Sequence, residues 1–188
     1  AIVMGGVGTG DDSNVDTELY NGTAWTEVNN LNSGRGLAVG AGTVNTAALL
    51  TSGRTASQAV YNETEIWNGT SWTEVNNLNT ARYYSSGDGT STAAILAGGE
   101  PGSGATADTE TWNGTSWTEV NNLNTARAEL TSMGTSAAAI AATGTTATAA
   151  TVNAETWNGT SWTEVNNVNT ARTLLAGSGT STSAIIFG

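Results

Sequence analysis

The stretch TWNGTSWTEVNNLNTAR, residues 111 to 127, returns with a single letter changed at 66 to 82 and at 156 to 172. A more divergent copy, LYNGTAWTEVNNLNSGR, occupies 19 to 35. Trp25, Trp72, Trp117 and Trp162 therefore stand 47, 45 and 45 residues apart, and Arg35, Arg82, Arg127 and Arg172 keep the same intervals. A period of this length suits a four-stranded propeller blade, a helical pair or a long solenoid coil. Each unit is rich in Thr, Trp, Val and Ile, is punctuated by Gly and Asn-Gly, and offers no window of helical apolar spacing, which selects strands.

Four strands can be marked in each unit. In the third they fall at roughly 81–89, 92–99, 108–112 and 116–122, with a Gly-Thr-Ser turn after the first and an Asn-Gly-Thr-Ser turn after the third. A lone four-stranded sheet cannot bury both faces, whereas copies stacked radially do so and leave short, protected edges. The expectation is an all-β protein: a β-propeller of four-stranded antiparallel blades, with repeats at about 1–32, 33–79, 80–124, 125–169 and a partial unit at 170–188. Strand arithmetic adds a complication. There are four first strands and four hairpins of third and fourth strands, but five second strands, from AIVMGG to SAIIFG. These residues are expected to form part of a larger ring, the alternative being a four-blade ring with one displaced strand.

The order of signals resembles the kelch repeat. Met4-Gly5-Gly6 and Ala97-Gly98-Gly99 end second strands on doubled glycines, an aromatic (Tyr20, Trp67, Trp112, Trp157) ends each third strand, a Trp opens the fourth, and an Arg follows. Thr51-Ser52-Gly53 and Ala142-Thr143-Gly144 depart from the doubled glycine. The wording WNGTSWTEVNNLNTAR is also similar to kelch-like repeats encoded by marine bacteriophages in virion and tail-fibre proteins. That resemblance implies a virion or extracellular location and an adhesive or structural role.

The composition narrows function by exclusion. The 188 residues carry a formal net charge of −11, with five cations, no His and no Cys. So few positive charges disfavour nucleic acid and anionic membrane as partners, and no apolar run reaches the length of a membrane span. Without His or Cys the usual metal ligands and nucleophile–base pairs are missing, and the expectation is a non-enzymatic protein without cofactor. Asp12, Asn14 and Asp16 alternate like calcium ligands but lack the glycine and distant glutamate of an EF-hand, so a solvated acidic loop is the favoured reading.

If the two tryptophans of a unit face each other, alternation places Glu18 opposite Glu27, Glu65 opposite Glu74, Glu110 opposite Glu119 and Glu155 opposite Glu164. Like charges across a strand pair repel, so an arginine is expected between them. That predicts four Glu-Arg-Glu clusters built on Arg35, Arg82, Arg127 and Arg172. The recurrence in every unit argues for structure over glycosidase chemistry, which needs one such pair. By the same reasoning the tryptophans are read as core and the Asn-Gly-Thr tripeptides as turns.

Variation between copies concentrates in two places. One is the entry to the first strand: Gly36-Leu37-Ala38, Tyr83-Tyr84-Ser85, Ala128-Glu129-Leu130 and Thr173-Leu174-Leu175. The other is the loop after the second strand: GTGDDSNVD, GRTASQAVYNE, EPGSGATAD and GTTATAATVN. Both belong to one face of a meandering blade, and diverse loops on a rigid scaffold serve recognition. The candidate contacts are Asp11, Asp12, Asp16, Arg54, Tyr61, Tyr83, Tyr84, Glu100 and Glu129. The expected partner is a host-surface glycan or protein, or alternatively another virion protein docked by a structural decoration; oligomerisation stays open.

Overall fold

The computed structural model describes residues 1–7 and 13–188. Among these it contains only strands, grouped in five antiparallel sheets. The first has three strands, β1 (Ile2–Met4), β2 (Thr17–Tyr20) and β3 (Trp25–Glu27). Three four-stranded sheets follow in simple meander order. They are β4 (Val39–Val44), β5 (Ala47–Thr51), β6 (Thr64–Trp67), β7 (Trp72–Val75); β8 (Ser86–Thr90), β9 (Ala93–Ala97), β10 (Thr109–Trp112), β11 (Trp117–Val120); and β12 (Thr131–Thr135), β13 (Ala138–Ala142), β14 (Ala154–Trp157), β15 (Trp162–Val165). The last sheet pairs β16 (Ala176–Thr180) with β17 (Ser183–Phe187). The first strands stack in succession, β4 on β8, β8 on β12 and β12 on β16, and the array does not close into a ring.

Each hairpin sits in the register that alternation requires. Trp67 faces Trp72, Trp112 faces Trp117 and Trp157 faces Trp162. The ring centroids of each pair are 5.5 Å apart and tilted by 44–46°, an arrangement that adds about 0.5–1.5 kcal/mol to area burial. In the four-residue loop between them, the Asn side chain accepts from two backbone amides, as Asn113 Oδ1 does from Thr115 and Ser116 at 2.9 Å. Only the Gly takes positive φ, 93° at Gly114.

The core lies between the sheets. Leu31, Ala48, Leu50, Trp67 and Trp72 fill the first gap, Val39, Leu49, Leu78, Leu96, Trp112 and Trp117 the second, and Ile95, Leu123, Leu130, Trp157 and Trp162 the third. Each Trp that opens a fourth strand also reaches back one sheet. The indole Nε1 of Trp72, Trp117 and Trp162 donates to Thr17, Thr64 and Thr109 Oγ1 at 2.9, 2.9 and 3.1 Å. A buried indole N–H without such an acceptor would cost about 1–3 kcal/mol. Trp25, on the first sheet, is 48% exposed.

The first strands begin later than the sequence predicts: β8 runs from Ser86, not from 81. The cause is backbone geometry just upstream, where Tyr84 holds φ at 53°, as do Leu37 (55°), Glu129 (56°) and Leu174 (56°) at the equivalent positions. A left-handed residue cannot continue a ladder. At the departures from the doubled glycine, Ser52 and Thr143 adopt φ of 63°, matching Gly5 at 63° and Gly98 at 64°. The unit's backbone is kept even where the residue suited to it is absent.

Candidate functional site

Two arrangements use the non-apolar residues of the repeat. One is internal. The Glu pairs lie in register as expected, Glu65 with Glu74, Glu110 with Glu119 and Glu155 with Glu164. The arginines, however, do not sit between them. Three of them cross to the following sheet and meet the third-strand glutamate, not its fourth-strand partner: Arg35 with Glu65 at 2.9 Å, Arg82 with Glu110 at 3.0 Å, Arg127 with Glu155 at 2.7 Å. All six side chains are at most 1% exposed, while Glu27, Glu74, Glu119 and Glu164 lie in solvent on the outer strands. The expected trios are thus buried pairs. Glu27 faces Glu18 in the first sheet, where both are exposed. Arg172 donates to Gly188 O at 3.2 Å.

The second carboxylate oxygen is held by a residue that pair counting missed. The backbone N and Nδ2 of Asn32, Asn79 and Asn124, three residues before each arginine, both donate to Oε2 of Glu65, Glu110 and Glu155 at 2.8–2.9 Å. A buried ion pair is favourable only when its remaining lone pairs are satisfied, and these asparagines satisfy them. A second guanidinium nitrogen finds what lies two residues before the glutamate, Glu63 for Arg35 at 3.0 Å and the Asn153 carbonyl for Arg127 at 2.7 Å, while Nε of Arg35 and Arg127 and all three nitrogens of Arg82 make no hydrogen bond among the described residues. Asp108 adds its field to that of Glu110 at Arg82. Burial nonetheless pushes the Arg82 and Arg127 guanidinium pKa below the ordinary arginine value, with Glu110 and Glu155 opposing the shift. The signal was in the sequence as Asn-x-x-Arg, but its partner lies about thirty residues on.

The other arrangement is the variable end of the sheets. Short antiparallel bridges join each strand entry to the loop after the second strand, Gly36 with Arg54, Tyr83 with Glu100 and Ala128 with Thr145. The Asn-Gly turns and the first-to-second-strand turns gather at the opposite end, where Trp67, Trp112 and Trp157 Nε1 donate to the carbonyls of Asn45, Ser91 and Ser136. The strand entries and second-to-third-strand loops, where variation between copies concentrates, therefore share one end of the array.

There the structure brings four candidates together. The Arg54 guanidinium carbon lies 4.4 Å from the Tyr83 ring centroid and 5.7 Å from that of Tyr84, and the two rings are 4.9 Å apart. Cation–π contacts of this kind contribute about 0.5–2 kcal/mol. Burial raises the Tyr83 phenol pKa above the ordinary tyrosine value, and the nearby Glu100 carboxylate adds to the rise. Glu129 lies on the neighbouring sheet; its Oε2 accepts from Thr145 Oγ1 at 2.8 Å. Tyr61 stands apart, its ring 5.9 Å from the Arg35 guanidinium. Asp16 is exposed and accepts from Asn30 Nδ2 at 3.2 Å, and Asn14 Oδ1 accepts from the Asp16 amide at 2.8 Å. Asp11 and Asp12, and with Asp12 the calcium-like trio, lie outside the described residues.

Three of the four left-handed residues are connected. Glu129 N donates to Tyr84 O at 2.9 Å and Leu174 N to Glu129 O at 3.1 Å. Tyr84, Glu129 and Leu174 thus form a row along the entry to the stacked first strands, with Leu37 at the equivalent position of the preceding sheet; all four are at least partly exposed, and they are of three residue types. Non-glycine residues in this conformation cost of order 1–3 kcal/mol each.

No protein-family model matches this chain, and no curated protein matches it. Among solved structures it is similar to one described as "Structure of YjhT", with a TM-score of 0.81 and 12% identity over 100% of this chain and 73% of that one. At this identity the likeness establishes the all-β repeat fold alone.

Proposed function

We propose that the sheets are blades of a kelch-type β-propeller and that the protein is a non-enzymatic adhesion module. It binds a host-surface component, a glycan, from a virion or another extracellular setting. The observation that carries this reading is the division of labour between the two ends of the sheets. Buried Arg–Glu–Asn staples and Trp pairs, repeated almost without change, make the scaffold stiff. The variable residues collect at one end, where Arg54, Tyr83, Tyr84 and Glu100 form a braced cluster and a strained row runs past it. Strain retained at non-glycine positions is expected where function, not stability, sets the residue.

The test is binding to a glycan array and to host cells, with loop-swapped variants. Exchanging the loop residues 54–59 and 100–104, which carry Arg54 and Glu100, for glycine-serine should abolish binding and leave the melting transition in place. Binding that survives there but is lost on altering the exposed Asn-Gly-Thr-Ser turns would instead favour a structural decoration docked through the invariant end.

A further inference from the structure

We infer that Tyr84 and Glu129 form one contact point, and that its ligand is an uncharged, hydroxyl-rich ring, a neutral hexose unit of a glycan. This rests on the reading of the variable end as a recognition surface, and it specifies the ligand's chemistry.

The two residues belong to adjacent sheets and are tied by the bond from Glu129 N to Tyr84 O. Both hold left-handed backbone conformations, with φ of 53° and 56°. Each side chain is braced on one side. Tyr84 packs against Tyr83, and Glu129 is anchored through Oε2 to Thr145 Oγ1 at 2.8 Å. The Tyr84 hydroxyl and Glu129 Oε1 make no hydrogen bond to protein among the described residues, and both residues are partly exposed. An aromatic ring and a carboxylate acceptor on residues joined through their backbones suit a sugar, which offers a C–H face and adjacent hydroxyl donors.

Local charge opposes an anion, and the Arg54 guanidinium opposes a cation stacked on the Tyr84 ring. An anionic ligand would meet the carboxylates of Glu129 and Glu100 on a chain of formal net charge −11. The local cation that could offset them, Arg54, is engaged over Tyr83 and donates to Gln58 Oε1. A cationic ligand stacked on Tyr84 would meet that same guanidinium 5.7 Å from the ring centroid. A neutral ring avoids both repulsions.

The experiment compares uncharged hexose oligosaccharides, uronate- or sialic-acid-containing oligosaccharides, and a polyamine, by calorimetry on the folded chain. The variants are Tyr84→Ala, Tyr84→Phe and Glu129→Gln, with the thermal transition as the control for folding. The expected result is binding of an uncharged oligosaccharide that changes by less than about twofold between low and high salt, because neutral ligands are not screened. Tyr84→Ala and Glu129→Gln should each weaken it by about tenfold or more, the size of a lost charged hydrogen bond or stacking contact. Preference for an acidic sugar or a polyamine overturns the inference, as does wild-type affinity in both variants. If the loop swaps still abolish binding in that last case, the recognition end stands and only this contact point fails. If the swaps also have no effect, both fail.

Discussion

Replacing Arg127 with methionine removes the cation from the junction between the β8–β11 and β12–β15 sheets. The guanidinium donates to Glu155 Oε1 at 2.7 Å, to Asn153 O at 2.7 Å and to Thr143 O at 3.2 Å. Methionine fills much of the volume and makes none of these bonds. Glu155, fully buried, keeps only Asn124 on Oε2. Breaking a buried ion pair from one side costs about 3–5 kcal/mol, and the surviving asparagine bonds place this case near the lower end. In a domain of this size each kcal/mol lowers the melting temperature by about 2–4 °C, so a fall of about 6–16 °C is expected. Because repeat arrays draw stability from nearest-neighbour interfaces, the loss should be local to that junction. Calorimetry and tryptophan fluorescence read it. The double variant Arg127→Met with Glu155→Gln leaves no unpaired buried charge and should recover more than half of the loss. A single variant melting with the wild type, or a double variant as weak as the sum of its parts, would falsify the account of the junction.

Further outcomes follow from other contacts. In an ultraviolet absorbance titration Tyr83 should give a step above the ordinary tyrosine value. Its native pKa is raised, so the stability it contributes is complete below about pH 10 and lost as pH climbs through the native value. Glu100→Gln should move that step toward the ordinary value, and Tyr83→Phe should delete it. Thr64→Val strips the acceptor from the Trp117 indole and should destabilise by about 1–3 kcal/mol, measured by urea unfolding. Trp117→Ala, which empties the space instead, should cost about 3–5 kcal/mol. Gly98→Ala should be far more damaging than Gly102→Ala. Both have positive φ, but a Cβ at Gly98 would lie 2.4 Å from Arg127 O, while at Gly102 nothing stands within 4 Å. Comparable melts for the two would show that the close approach is not what fixes glycine at position 98.

How much of this was legible depended on range. Pairing of Trp112 with Trp117 and Glu110 with Glu119 follows from a loop of fixed length and a strict alternation, both local, and both could be read from residues 109 to 120. The destination of Arg82 could not. Alternation places it near a glutamate pair but does not say which copy's pair, and the nearest in sequence, Glu65 and Glu74, is the wrong one. The role of Asn79 was hidden for the same reason: its partner, Glu110, is reached only when one sheet lies on the next. Nor did the sequence announce the left-handed backbone at Leu37, Tyr84, Glu129 and Leu174, since none is a glycine and the constraint that holds them is imposed by neighbouring strands.

The repeat by itself determined the class of structure: β-strands of a set length, their turns and their hairpin register, because these depend on period-two alternation and on turn residues a few positions apart. Tertiary structure alone decided which charges are buried and which are wet, and which variable residues become neighbours. Those outcomes turn on how one sheet is laid against the next, and no residue's local neighbourhood contains that information.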